Sequence, residues 1–111
     1  MKKAELLAPA GDMSKLKTAF YFGADAAYVG GKRFSLRAQA GNFTDEELAE
    51  AVRYAHERGK KLYVTVNILA RNDDIKEAAE YLKFLERIGA DGAIISDAGL
   101  IALAREVVPN L

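Results

Sequence analysis

The residues best suited to chemistry in this sequence are three cations, Lys32, Arg33 and Arg37, in a stretch between Asp25 and Asp45 that holds no acid. Arg37 lies among the apolar residues Phe34, Leu36 and Phe43. A planar guanidinium in that setting suits a planar anion, carboxylate or phosphate. The competing reading is an ion pair with Asp45 or Glu46, because exposed cations are often only solvated or weakly paired. Asn67 continues the alternating face of Tyr63 and Thr65, which leaves it either at the inner mouth of a sheet or solvated at a strand end. Ser96 beside Asp97 has the types of a nucleophile pair, but no histidine or lysine is placed to activate the serine. Asp12 and Asp97 could act as general bases, yet both stand where a helix wants an N-cap. The one histidine, His56, falls near the end of a helix, where it complements the helix dipole. No spacing of metal ligands occurs, and no catalytic residue is assigned.

Positioning these groups takes a regular alternation of elements. Residues 4–10, AELLAPA, read as a short buried strand closed by Pro9. Gly11 turns, Asp12 caps a helix with the stripe Met13, Leu16, Ala19 and Phe20, and Gly23 ends it. Residues 26–29 form a second strand ending on Gly30-Gly31. The segment of residues 31–43 that follows is about twice the ~2–6 residues usual in such connections, which marks an ordered binding loop. Thr44 and Glu47 make a capping box with Phe43 and Leu48 as a hydrophobic staple, and the helix they start buries Leu48, Ala51, Val52 and Ala55 before Gly59. Residues 61–68 are the clearest strand. Asn72 or Asp73 opens a third helix with Ile75, Ala78, Ala79, Leu82 and Leu85 on one face, ended by Gly89. Residues 92–96 make a fourth strand, and Asp97 caps a last helix running to about Val108.

The turns repeat. Gly23-Ala24-Asp25 and Gly89-Ala90-Asp91 occupy the same place between helix and strand, as does Gly59-Lys60-Lys61. Strand–helix alternation with such short turns implies right-handed crossovers and a parallel sheet. The expected fold class is therefore α/β: four consecutive βα units in one domain, residues 1–111, resembling half of a (β/α)8 barrel. A doubly wound sheet is the runner-up, but APAGD has one glycine where the phosphate fingerprint wants three. In either fold the functional groups belong at the carboxyl ends of the strands, which places His56 at the opposite rim.

Composition narrows the function classes. Lys+Arg and Asp+Glu are equal at 16 each, so the overall charge does not indicate nucleic-acid binding. With no cysteine, disulfides, thiol catalysis and cysteine-ligated clusters are excluded within this chain, and no cofactor is expected in it. No segment reaches the ~20 apolar residues of a membrane span, which points to a cytoplasmic protein.

The phrases ELLAPAGDMSKLKTAFYFGADAAYVGG, FSLRAQAGNFT, VTVN and SDAGLI closely resemble the N-terminal region of the collagenase-like peptidase family of unassigned catalytic type (family U, number thirty-two). The resemblance runs from Glu5 to Leu111. It implies a barrel-like catalytic domain in a longer protein whose cysteine-containing signature lies beyond the matching region, and its name implies peptide hydrolysis. For some relatives it implies oxygen-independent hydroxylation of RNA bases or quinone precursors with an iron–sulfur cluster on cysteines. Carried over by motif position, the substrate-binding residues are Arg37 and Asn42 of the FSLRA–NF phrase, Asn67 of VTVN, and Ser96 with Asp97. The expected function is the half barrel of such a peptidase, inactive by itself. The alternatives are a non-catalytic module binding a small anion or a partner, or part of a hydroxylation enzyme. A bare inner sheet face and two free edges also predict a homo-oligomer or a missing second half as partner.

Overall fold

A computed structural model of the chain describes residues 6–31, 43–66, 74–95 and 98–108. Within them the elements alternate without exception: β1 (Leu7–Pro9), α1 (Met13–Tyr21), β2 (Ala26–Gly30), α2 (Asp45–Glu57), β3 (Lys61–Val66), α3 (Asp74–Ile88), β4 (Gly92–Ile95) and α4 (Ala98–Val107). The strands pair in chain order, β1-β2-β3-β4, and every pair is parallel. This is the order of half a (β/α)8 barrel, not of a doubly wound sheet, whose order reverses at a switch point.

The period of two in β3 decides which side the helices take. Leu62, Val64 and Val66 are fully buried, whereas Tyr63 and Thr65 are half-buried. The buried set joins Leu16 and Phe20 of α1, the whole expected stripe of α2, and Ala78, Leu82 and Leu85 of α3 in a single core. Burying each of the larger of these side chains contributes about 1.5–3 kcal/mol. α2 starts on the expected box: Glu47 N–H donates to Thr44 Oγ1 at 3.1 Å and Thr44 N–H to Glu47 Oε1 at 2.9 Å. Phe43 and Leu48, the staple positions, are both buried. No described element covers the other sheet face, and the molecule is only 21 Å through its thinnest axis, the depth of one sheet and one helix layer.

Two expectations are corrected. β1 is not buried: Leu7 is 52% exposed and Leu6 59%, because β1 is an edge strand whose Leu7 points to the open face. In α3 the buried stripe takes Tyr81 rather than Ala79, which is only half-buried. The period of 3.6 admits either neighbour, and the larger ring fills the space beneath β2 and α2. The N-cap of α3 and the Ile75 side chain lie outside the described part.

Candidate site at the carboxyl ends of the strands

The helix-to-strand turns are three copies of one device. α1, α2 and α3 each end on a left-handed glycine, Gly23 (φ 99°), Gly59 (φ 68°) and Gly89 (φ 86°). Each closes a Schellman pair, with the glycine N–H on Phe20, His56 or Glu86 carbonyl and the next N–H on Ala19, Ala55 or Leu85 carbonyl. Where the turn ends in aspartate, that residue also grips the neighbouring strand twice. Asp25 N–H donates to the Leu6 carbonyl (2.8 Å) while its Oδ2 accepts from Leu6 N–H (2.9 Å). Asp91 treats Leu62 likewise, at 2.9 and 2.7 Å. Gly59-Lys60-Lys61 keeps the glycine turn without the carboxylate grip. These clamps fix the amino ends of the strands.

At the carboxyl end of β2, Gly30 and Gly31 are tied to Phe43, the next described residue in the chain. Phe43 N–H donates to the Gly30 carbonyl at 2.8 Å, and Gly31 and Phe43 pair as a parallel bridge. Behind this base stands Tyr81, wholly buried on α3, with its hydroxyl against the position a Gly31 side chain would occupy. Glycine is therefore required at 31 by close approach. Asp12, at the end of β1, accepts from Lys15 N–H at 2.8 Å, so it is the N-cap of α1 and not a free base. The inner face leading up to this rim carries Tyr28, Tyr63, Thr65 and the exposed Ile94 in adjoining register positions, and Thr65 Oγ1 donates to the Val29 carbonyl at 3.3 Å.

Arg37, Asn42, Asn67, Ser96 and Asp97 all lie outside the described residues. Their flanking residues do not. Gly31 and Phe43 bracket the first two, Asn67 follows Val66, and Ser96 follows Ile95, with Val66 and Ile95 paired in register. The topology thus brings the segments that carry them to one end of three adjacent strands.

His56 is at the other rim, as expected, but it does more than face a helix dipole. Its Nε2 lies 2.9 Å from Asp91 Oδ2, which joins α2 to the turn before β4. An open depression of about 570 Å³, lined by His56 with Ala49, Val52, Arg53, Glu57 and Ile88, lies between α2 and α3, away from the carboxyl ends of the strands. Sequence reasoning missed Asp25 and Asp91 as strand clamps, although the repeated Gly-Ala-Asp was their signal.

An iron–sulfur cluster does not fit this chain. It has no cysteine, and among the described residues no three His, Cys, Asp or Glu side chains gather as a metal site. Also among them, no helix is long and apolar enough to cross a membrane.

The model of peptidase family U32 matches residues 11–111. Over 99% of its length the chain is 47% identical to tRNA hydroxylation protein P1 of Bacillus subtilis, covering 26% of that protein. It is 45% identical, over 96% of its length, to an uncharacterized protease of Methanocaldococcus jannaschii, of which it covers 26%. With tRNA hydroxylation protein P of Escherichia coli it shares 44% identity over its whole length, covering 24% of that protein. The chain therefore spans about a quarter of the length of these curated relatives. In fold it is similar to the U32 peptidase Mk0906 (TM-score 0.72, 15% identity, 94% of this chain and 47% of that one). It is also similar to the YdjI aldolase of Escherichia coli (TM-score 0.61, 17% identity, 87% and 38%).

Proposed function

Because the chain belongs to peptidase family U32, we propose that it serves tRNA hydroxylation as the four-unit arc of a longer barrel protein, its carboxyl-end loops holding part of the RNA. The observation that carries this reading is the near-half identity, along essentially the whole chain, to two proteins named for tRNA hydroxylation. The fold supports it by collecting the starts of three loops at one sheet end. In this reading Arg37 meets a phosphate through its planar guanidinium, Asn42 and Asn67 orient the nucleotide by hydrogen bonds, and Ser96 with Asp97 completes the rim. Any cluster or oxidant chemistry belongs to a part of the protein other than this chain.

The test is nucleoside mass spectrometry of tRNA from cells lacking the gene and any paralogue. A nucleoside one oxygen heavier than its parent should disappear and return when the gene is restored. An unchanged profile overturns the reading. Peptide hydrolysis is the second reading, favoured by the likeness to the Methanocaldococcus jannaschii protease. It requires turnover of a labelled collagen peptide that survives repurification and is lost on Ser96→Ala or Asp97→Asn.

A further inference from the structure

The outer surface of α1 and α2 carries a cluster that the sheet end does not use. Tyr21, the last residue of α1, and Phe22, its C-cap, are 84% and 78% exposed, and their rings meet edge to face at 5.3 Å. Two adjacent rings left this open to water are unusual on a domain surface and mark contact sites. Lys17 stands four residues before Tyr21, hence on the same face of α1. Its Nζ lies 5.4 Å from the centroid of the Tyr54 ring on α2. The Arg58 guanidinium, one turn beyond Tyr54, lies 3.5 Å from the same centroid and donates to the Tyr54 carbonyl at 3.1 Å. Phe20 stacks on Tyr54 at 6.2 Å and 12°, locking the two helices together beneath. Rings and cations thus alternate across both helices. Two acids stand close by: Glu57, 3.8 Å from Arg58 in an exposed pair too weak to hold that cation, and the exposed Glu50, one turn before Tyr54 on α2.

Exposed rings interleaved with cations are what a single-stranded nucleic acid needs, since any base offers a π face and each linkage a negative phosphate. An apolar protein partner would use the rings and leave Lys17 and Arg58 to be desolvated at a loss. The balanced overall charge does not oppose this, because the cluster is local. The cluster reaches the end of α1, at the amino-end rim of the sheet, whereas Gly31, Val66 and Ile95, the strand ends leading to the candidate residues, stand at the carboxyl-end rim. The six-residue β3 separates these rims by ~20 Å. A partner touching both must be extended, as a folded RNA is.

We propose that the α1–α2 surface is a second RNA contact, with an unpaired base on the Tyr21–Phe22 pair and adjoining phosphates on Lys17 and Arg58. The inference rests on the tRNA reading above and deepens it: the strand ends take the reacting nucleotide and this surface grips the RNA elsewhere. The test is a fluorescence-anisotropy titration of a labelled, mixed-sequence single-stranded RNA with the 111-residue chain at several salt concentrations. Tyr21→Ala with Phe22→Ala should weaken binding about tenfold or more, because stacking on such rings carries that much of the affinity per base. Lys17→Gln should flatten the plot of log affinity against log salt by roughly 0.7, the share of one phosphate on a single strand. Arg58→Lys should keep the salt slope, since the charge remains. Arg87→Gln, which alters a cation 5.9 Å over the Phe84 ring on α3, should change nothing. Binding retained by every variant overturns the surface and leaves the tRNA reading intact. No binding by the unaltered chain also overturns the surface, while nucleoside analysis still decides the reading. Sedimentation showing that the two ring substitutions abolish self-association would assign the rings to a protein contact instead.

Discussion

Removing the Asp91 carboxylate should cost the fold much more than removing that of Asp25, although both close the same Gly-Ala-Asp turn with the same pair of bonds. The difference lies in what they hold. Asp91 Oδ2 accepts from the N–H of Leu62, a fully buried residue, at 2.7 Å. Asp91→Ala leaves that part-buried N–H, on a residue with no exposed surface, without its acceptor, a loss of about 1.5–3 kcal/mol for a hydrogen bond to a charged group. The exposed contact with His56 adds only about 0–1 kcal/mol. Asp25 Oδ2 accepts from Leu6 N–H at 2.9 Å, but Leu6 is largely in water, which takes over the bond. Asp25→Ala should therefore cost less than about 1 kcal/mol. Asp91→Asn, which keeps an uncharged acceptor, should fall between. Urea unfolding at one fixed protein concentration reads these differences from the midpoints, provided the slopes agree. Equal losses for Asp91→Ala and Asp25→Ala, or a larger one for Asp25→Ala, would refute the claim that burial of the bonded strand residue sets the value of the clamp.

Gly31→Ala drives a methyl group into the Tyr81 hydroxyl and should destabilise the chain by about 1–3 kcal/mol. Tyr81→Phe should cost less in that background than in the parent, and a double-mutant cycle without coupling would show that the two do not meet. Among the described residues one sheet face is uncovered and β1 and β4 are edge strands, so the isolated chain should self-associate, two copies pairing β4 of each with β1 of the other in a two-fold closed barrel. Its melting temperature should then rise with protein concentration, and a monomer in light scattering with a concentration-independent melt would dismiss that closure. Phosphate or carboxylate titrations should shift loop resonances of the parent chain and much less those of Arg37→Lys, because a point charge does not replace a bidentate guanidinium; equal shifts in Arg37→Ala would remove Arg37 from the site.

What could be read from the sequence was whatever is decided within one turn or one strand. The stripe Leu48, Ala51, Val52 and Ala55, the Thr44–Glu47 box and the three glycine stops are local in this sense, and each stands where the spacing puts it. The errors sit where a residue's fate depends on something distant. Leu7 has the composition of a core strand, yet its burial depends on whether another sheet edge or layer covers it, and none is described. Tyr81 and Ala79 both satisfy the helical period, and only the gap behind Gly31 selects the ring. His56 and Asp91 are 35 positions apart, so their contact has no local trace. The candidate substrate residues lie outside the described part, and topology speaks only for the strand ends Gly31, Val66 and Ile95 that lead to them.

The repeated turn shows how the sheet is registered from one end. A clamp at Asp25 and another at Asp91 register β1 against β2 and β3 against β4 from the amino ends alone. The middle pair, β2 and β3, lacks a carboxylate at Lys61, but it has the longest register of the three and the fully buried Leu62, Val64 and Val66. Side-chain burial there replaces the clamp. With registry secured at one end by carboxylates and in the centre by packing, the carboxyl ends carry little of the burden of holding the sheet together. The Gly31–Phe43 bridge adds one further parallel pairing beyond Gly30, at the carboxyl end of β2.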